Sequence, residues 1–219
     1  TSWAKWTRVA YTGEGFWTER HAAFGMAAYL HTYELTGDPA RLQSAMLFFD
    51  GVYRLQVRPL DGAPADGAWL HTAESHGDGN GFTTSPWMSA LLMDSIWKLW
   101  MLTGDDRCPA SLAMYAKFID RYGVSPDRKQ LYYMANSPGR GASINPENPP
   151  HHLEACYMLA MGYYLSGGHD TALTETLQGL WPALLADGAN NPPRKLSWRF
   201  RETSMLVWFL QHARQGQPE

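Results

Sequence analysis

Leu35-Thr36-Gly37-Asp38 returns as Leu102-Thr103-Gly104-Asp105 and, in weaker form, as Leu165-Ser166-Gly167-Gly168. The copies are spaced by 67 and then 63 residues. Each follows a long apolar segment and precedes a second, more mixed one. A period of this size with a helix-stop signal at its centre is the pattern of stacked helical hairpins. Gly37, Gly104 and Gly167 stand where a left-handed residue closes a helix. Asp38 followed by Pro39 reads as N-cap and first residue of the next helix, and Asp170 takes that place in the third copy. Turns this short force the two helices of each hairpin to lie antiparallel.

Working outward, hydrophobic periodicity predicts seven helices, over 18–35, 39–56, 85–102, 109–122, 150–165, 170–186 and 197–214. From Ala22 to Leu35 only Glu34 is certainly charged, and from Leu153 to Leu165 only Glu154 is. Such all-round apolarity predicts helices buried on both sides. The 39–56 segment instead sets Arg41, Asp50 and Arg54 against Leu42, Met46, Phe49 and Tyr53, an amphipathic outer helix. The expected fold is all-α: one domain over 1–219, built of antiparallel hairpins whose inner and outer helices alternate in a curved α/α layer, an incomplete α/α toroid.

Composition bounds the function. At 219 residues, with 45% hydrophobic and 18% charged residues, the chain can bury a sizeable core. A net charge of −3 argues against a nucleic-acid or anionic-membrane partner. No uninterrupted apolar run is long enough to span a bilayer. Cys108 and Cys156 have no metal-type spacing and read either as a pair or as two core thiols. The chain starts with Thr and carries no recognisable signal peptide, which reads as a processed chain or an excised domain.

The connections at 57–84 and 123–149 are long, and a shorter one spans 187–196. All are rich in Gly, Pro, Asn and Asp. Hairpin topology sends all three to the face where the inner helices begin, and insertions gathered on one face commonly build a binding surface. The first turns there bring Glu19, Arg20 and His21, then Ser85 and Trp87, then His151, His152 and Glu154, then Trp198, Arg199, Arg201 and Glu202. The loops add Trp69, His71, Glu74, His76, Asp78, Tyr132, Tyr133, Asn136 and Arg140. Helix N-termini point their positive ends at this inventory.

Those residue types suit a carbohydrate. Ten Trp and eleven Tyr supply flat rings that stack on sugar faces, and arginine forks suit a uronate carboxylate. Trp17, Arg20, His21, Trp69, Trp87, Tyr132, Arg140, Trp198, Arg199 and Arg201 are the expected substrate-binding residues. Glu154, Glu202, His151, His76 and Asp78 are the expected catalytic ones. In the repeat, His151 falls 130 residues after His21, at the equivalent position. No cofactor is expected. His76-x-Asp78-x-Asn80-Gly81 opens like a calcium loop, but its first ligand would be His and its twelfth position is Trp87, so an EF-hand is rejected. His71, Glu74 and His76 lack the helical spacing of zinc motifs, and no metal is expected.

An apolar helix ending in Tyr33-Glu34-Leu35-Thr36-Gly37-Asp38-Pro39, then an amphipathic helix, then a Gly/Trp-rich loop, resembles the α/α-toroid carbohydrate-active enzymes, which include six-hairpin glycosidases and toroid polysaccharide lyases. The likeness spans 18–214 as a pattern, and it implies an enzyme cleaving an oligo- or polysaccharide. Two chemistries stay open. A glycoside hydrolase would use two carboxylates drawn from Glu74, Asp78, Glu154 and Glu202, with Glu19 behind them. A uronate lyase would use His76, His151, His152 or Tyr132, with Arg199 and Arg201 on the carboxylate. The number of carboxylates favours hydrolysis. No lyase-type Asn-Asn-His or Asn-x-x-x-Tyr signature is present.

The chain supplies fewer hairpins than a closed toroid, which points to a further domain or a second copy completing the ring. The same deficit supports the rival reading, a non-catalytic glycan-binding or scaffold module of a larger assembly. An isoprenoid- or peptide-cyclising α/α barrel shares the layout, but the Asp-rich or Cys/His motif it normally carries is absent here. The glycan reading implies a secreted or periplasmic protein.

Overall fold

The computed structural model describes residues 18–70, 82–143, 151–190 and 205–213. Helices α1 (Glu19–Thr36) and α2 (Pro39–Val57) form the first hairpin. The second is α3 (Pro86–Thr103) and α4 (Arg107–Phe118), the latter continued by a π-helical turn at Ile119–Gly123. The third is α5 (His152–Leu165) and α6 (Thr171–Asn190), and a short helix α7 covers 205–212. Among the described residues there is no strand, only the isolated bridges Thr84–Ala135 and Val124–Leu131. No described helix is long and apolar enough to cross a membrane.

The repeated turns do what their residues dictate. Gly37 and Gly104 adopt φ of 68° and 69°, and each donates its N–H to the carbonyl four residues back, on Tyr33 and Trp100. A Cβ would strain that left-handed conformation. Asp38 then caps α2 by accepting the Ala40 N–H at 3.0 Å, with Pro39 in the first turn. In the third copy Gly167 and Gly168 are both left-handed, at 63° and 77°.

Helix α5 is the buried centre: from His152 to Tyr163 every residue is buried. It packs against α4, α6 and α3, and α3 packs in turn against α1. Glycine allows the closest approach, because a Cβ on Gly162 would lie 2.3 Å from the Ala116 Cβ of α4. Ser95 ties α3 to α1 by donating to the Ala23 carbonyl at 3.1 Å. Phe209 of α7 packs on Trp97 of α3 and on Tyr157 and Tyr164 of α5.

Two expectations change. Helix α1 is buried on one side only: Ala22, Ala23, Met26 and Leu30 face the core, whereas Phe24 is 44% and Leu35 86% exposed. Its apolarity therefore does not signal neighbours all round, as it does in α5. Helix α6 runs on to Asn190, into residues expected to form a connection. Cys108 and Cys156 are both free and buried, and burial pushes each thiol up to about 12.

Candidate functional site

The starts of α1, α3 and α5 meet. Glu19, the first residue of α1, accepts through one carboxylate oxygen from the Ser85 backbone N–H at 3.0 Å and the Thr84 hydroxyl at 2.6 Å, both just ahead of α3. Thr84 Oγ1 also lies 3.0 Å from the Tyr115 hydroxyl of α4. Tyr115 is fully buried, and desolvation, aided by the Glu19 charge, holds its phenol well above the usual tyrosine range. The carboxylate of Glu19 is thus held in place by donors from the next hairpin. Ser85 Oγ in turn donates to the Tyr133 carbonyl at 3.3 Å, and the Thr84–Ala135 bridge lays the 131–136 segment beside the start of α3.

Above this network the Trp87 indole carries the His151 imidazole, stacked at 4.7 Å and 10°. The Arg20 guanidinium sits 5.4 Å from the indole centroid, and the Tyr133 ring 6.5 Å away. His151 is the N-cap residue of α5, and Glu154 lies three positions on, so one helical turn brings its carboxylate back to the imidazole. The contact is 3.1 Å from His151 Nδ1 to a Glu154 oxygen. The imidazole side chain is 14% exposed and the carboxylate 3%, so a mostly buried ring that keeps a small opening to solvent stands on a buried acid. His21, at the matching position of the first repeat, is buried, and that burial lowers its pKa below the usual histidine range.

Of the expected site residues, Arg20, Trp87, His151 and Glu154 come together, and Tyr133 joins them, while His21 is buried in the first turn of α1. Trp87 supports His151 with a ring face rather than offering that face to sugar. Two expectations are corrected. Trp69 is fully buried and stacked on Tyr115 at 4.4 Å and 8°, so it is a core residue and cannot stack on substrate. Arg140 has a 5% exposed side chain that clasps Asp61 at 2.6 Å, Asp66, and the Ser137 hydroxyl at 2.9 Å. Its guanidinium is used up holding two connections together. Tyr132 lies elsewhere, in a cleft beside the π turn. Trp17, His71, Glu74, His76, Asp78, Trp198, Arg199, Arg201 and Glu202 lie outside the described residues. Thr84 and Tyr115 complete the network under Glu19 without any motif announcing them.

Among the described residues no group of three or more His, Cys, Asp or Glu side chains is arranged to hold a metal ion. Comparisons of the chain with protein-family models, with curated proteins and with solved structures give no match.

Proposed function

We propose that this chain is a carbohydrate-active enzyme that cleaves an oligo- or polysaccharide at the rim formed by the starts of α1, α3 and α5, on the scaffold of an incomplete α/α toroid. One observation carries the reading: the His151 imidazole is stacked on Trp87, tied to the buried Glu154 carboxylate and left partly open to solvent. An imidazole oriented by a carboxylate is a recurring general base. Arg20 adds a guanidinium fork suited to a sugar carboxylate, and Tyr133 adds a phenol able to donate a proton.

These groups suit elimination from a uronate. His151 takes the C5 proton, and the electron pair left behind forms the C4–C5 double bond. The bond from C4 to the glycosidic oxygen breaks, and that oxygen takes a proton from Tyr133. Glu154 acts through His151 and is a positioning residue. Hydrolysis, favoured by the carboxylate count, uses two carboxylates open to the substrate. Glu19 and Glu154 are both buried, so hydrolysis would draw on Glu202 or Asp78 beyond the described residues. A further domain or a second copy would complete the ring.

The test is incubation with neutral and uronate polysaccharides, reading reducing ends and the ultraviolet absorbance of an unsaturated uronate. Both signals are expected on a uronate polymer, and both should vanish in His151→Ala. In Glu154→Gln, kcat should fall roughly 100-fold or more while KM and melting temperature hold. Reducing ends without absorbance would replace elimination by hydrolysis. Glycan binding with neither signal would leave the non-catalytic module.

A further inference from the structure

A second site lies beside the rim. An open cleft of about 680 Å³ is bounded by the π turn at the end of α4 and by the 124–143 connection. The bridges Val124–Leu131 and Thr84–Ala135 pin the short segment that divides the two places. Tyr133 of that segment meets Trp87 at the rim, whereas Tyr132 lines the cleft. Neighbouring residues on bridge-paired backbone diverge in this way.

The cleft is chemically distinct. Arg121 and Tyr122 enter it from the π turn, and π insertions recur at functional sites because the extra residue re-aims the side chains that follow. Gly123 closes the turn because a Cβ there would lie 2.9 Å from Ile119 Cδ1. Arg128, also in the lining, is already engaged by Asp120 at 3.6 Å and Glu175 at 3.1 Å. Arg121 is exposed, and among the described residues it has no such partner. Asn136 is 93% buried: its side-chain N–H donates to the Ala142 carbonyl at 3.1 Å, while its Oδ1 has no donor among the described residues. A buried acceptor without a donor costs about 1–3 kcal/mol. Among the described residues the cleft therefore holds an uncommitted cation, two half-buried phenol rings and an unmet acceptor, but no uncommitted anion.

We propose that this cleft is a second carbohydrate site, separate from the His151 rim, that holds an anionic sugar unit with its acid group on Arg121 and its ring against Tyr122 and Tyr132. The choice of sugar rests on the glycan reading of the rim. The acid could be a uronate carboxylate or a sugar phosphate, since both match a guanidinium fork.

Calorimetric titration separates the possibilities. The probes are a uronate trisaccharide, its neutral counterpart, glucose 6-phosphate and inorganic phosphate, run against His151→Ala alone and combined with Arg121→Ala or Tyr132→Ala. An acidic sugar should still bind the cleavage-deficient His151→Ala, and adding Arg121→Ala or Tyr132→Ala to that variant should weaken the cleft binding at least roughly tenfold. Uronate against sugar phosphate identifies the acid. Equal affinity of His151→Ala with and without Arg121→Ala, equal affinity for the neutral sugar, tight binding of phosphate alone, or no binding of any probe each overturns the proposal. Arg121 is exposed, so its substitution leaves the core intact, and equal melting temperatures verify this. Cleavage with an unaltered Arg121→Ala isotherm would sink the cleft and keep the rim. Arg121-dependent binding without cleavage would do the reverse.

Discussion

Replacing Arg140 by Ala tests whether the loop-borne arginine holds the architecture together. Its guanidinium takes Asp61 at 2.6 Å, Asp66, the Ser137 hydroxyl and the Pro64 carbonyl, joining the connection after α2 to the one after α4. The Asp61 and Asp66 side chains are only 17% and 11% exposed, so removing the cation strands two nearly buried carboxylates. Breaking a buried pair from one side costs about 3–5 kcal/mol. Partial access to water puts the expectation at the lower end, about 3 kcal/mol, or roughly 6–12 °C in melting temperature for a chain of this size.

The cost should also depend on pH. The Arg140 guanidinium holds the Asp61 carboxyl below its ordinary value of 3.8. Stabilisation from a depressed carboxylate is fully present above the unfolded value and is lost as pH falls through the folded one. Urea denaturation at pH 7 and at steps below 4 should therefore show the gap between wild type and Arg140→Ala closing toward acid. A loss below about 1 kcal/mol at pH 7, or a gap that widens in acid, would refute the reasoning. So would loss of glycan binding with stability unchanged, since it would return Arg140 to the substrate.

Two further outcomes follow from packing. Gly162→Ala should destabilise by about 2 kcal/mol, because overpacking against Ala116 outweighs the gain in helix propensity. Adding Ala116→Gly should restore most of the loss in thermal melts, and no recovery would mean that another contact sets the spacing. Neither cysteine should react with a thiol reagent at pH 8 in the native protein, because burial, helped by the Asp105 charge at Cys108 and the Glu154 charge at Cys156, pushes both thiols up to about 12. Both should react in urea, and rapid labelling of the folded chain would place one of them at the surface.

What could be read from the sequence tracks how local its cause is. The helix stops were legible because a left-handed glycine acts within one turn, and α5 because its apolarity has no break after Glu154. Burial of α1 was not, since an apolar outer face on Phe24 and Leu35 looks the same in sequence whether or not a neighbour covers it. Trp69 and Arg140 sit in Gly- and Pro-rich runs that resemble exposed loops. Their partners, Tyr115, Asp61 and Asp66, lie 46 to 79 residues away, beyond any periodic signal. Tyr132 and Tyr133 look equivalent until the bridges fix which of them meets Trp87.

The rim was legible for a related reason. Helices α1 and α3 each have 18 residues and end on equivalent glycines, so at 1.5 Å per residue their starts fall level. The 3.0 Å bond from the Ser85 N–H to Glu19 records that register directly. The contact between His151 and Glu154 needs still less, only one turn of one helix. Trp87 then meets His151 because α3 and α5 begin side by side, with no connecting loop required to place either ring. The His151 imidazole, the Glu154 carboxylate beside it and the Trp87 ring against which it stacks are thus brought together by helix length and capping.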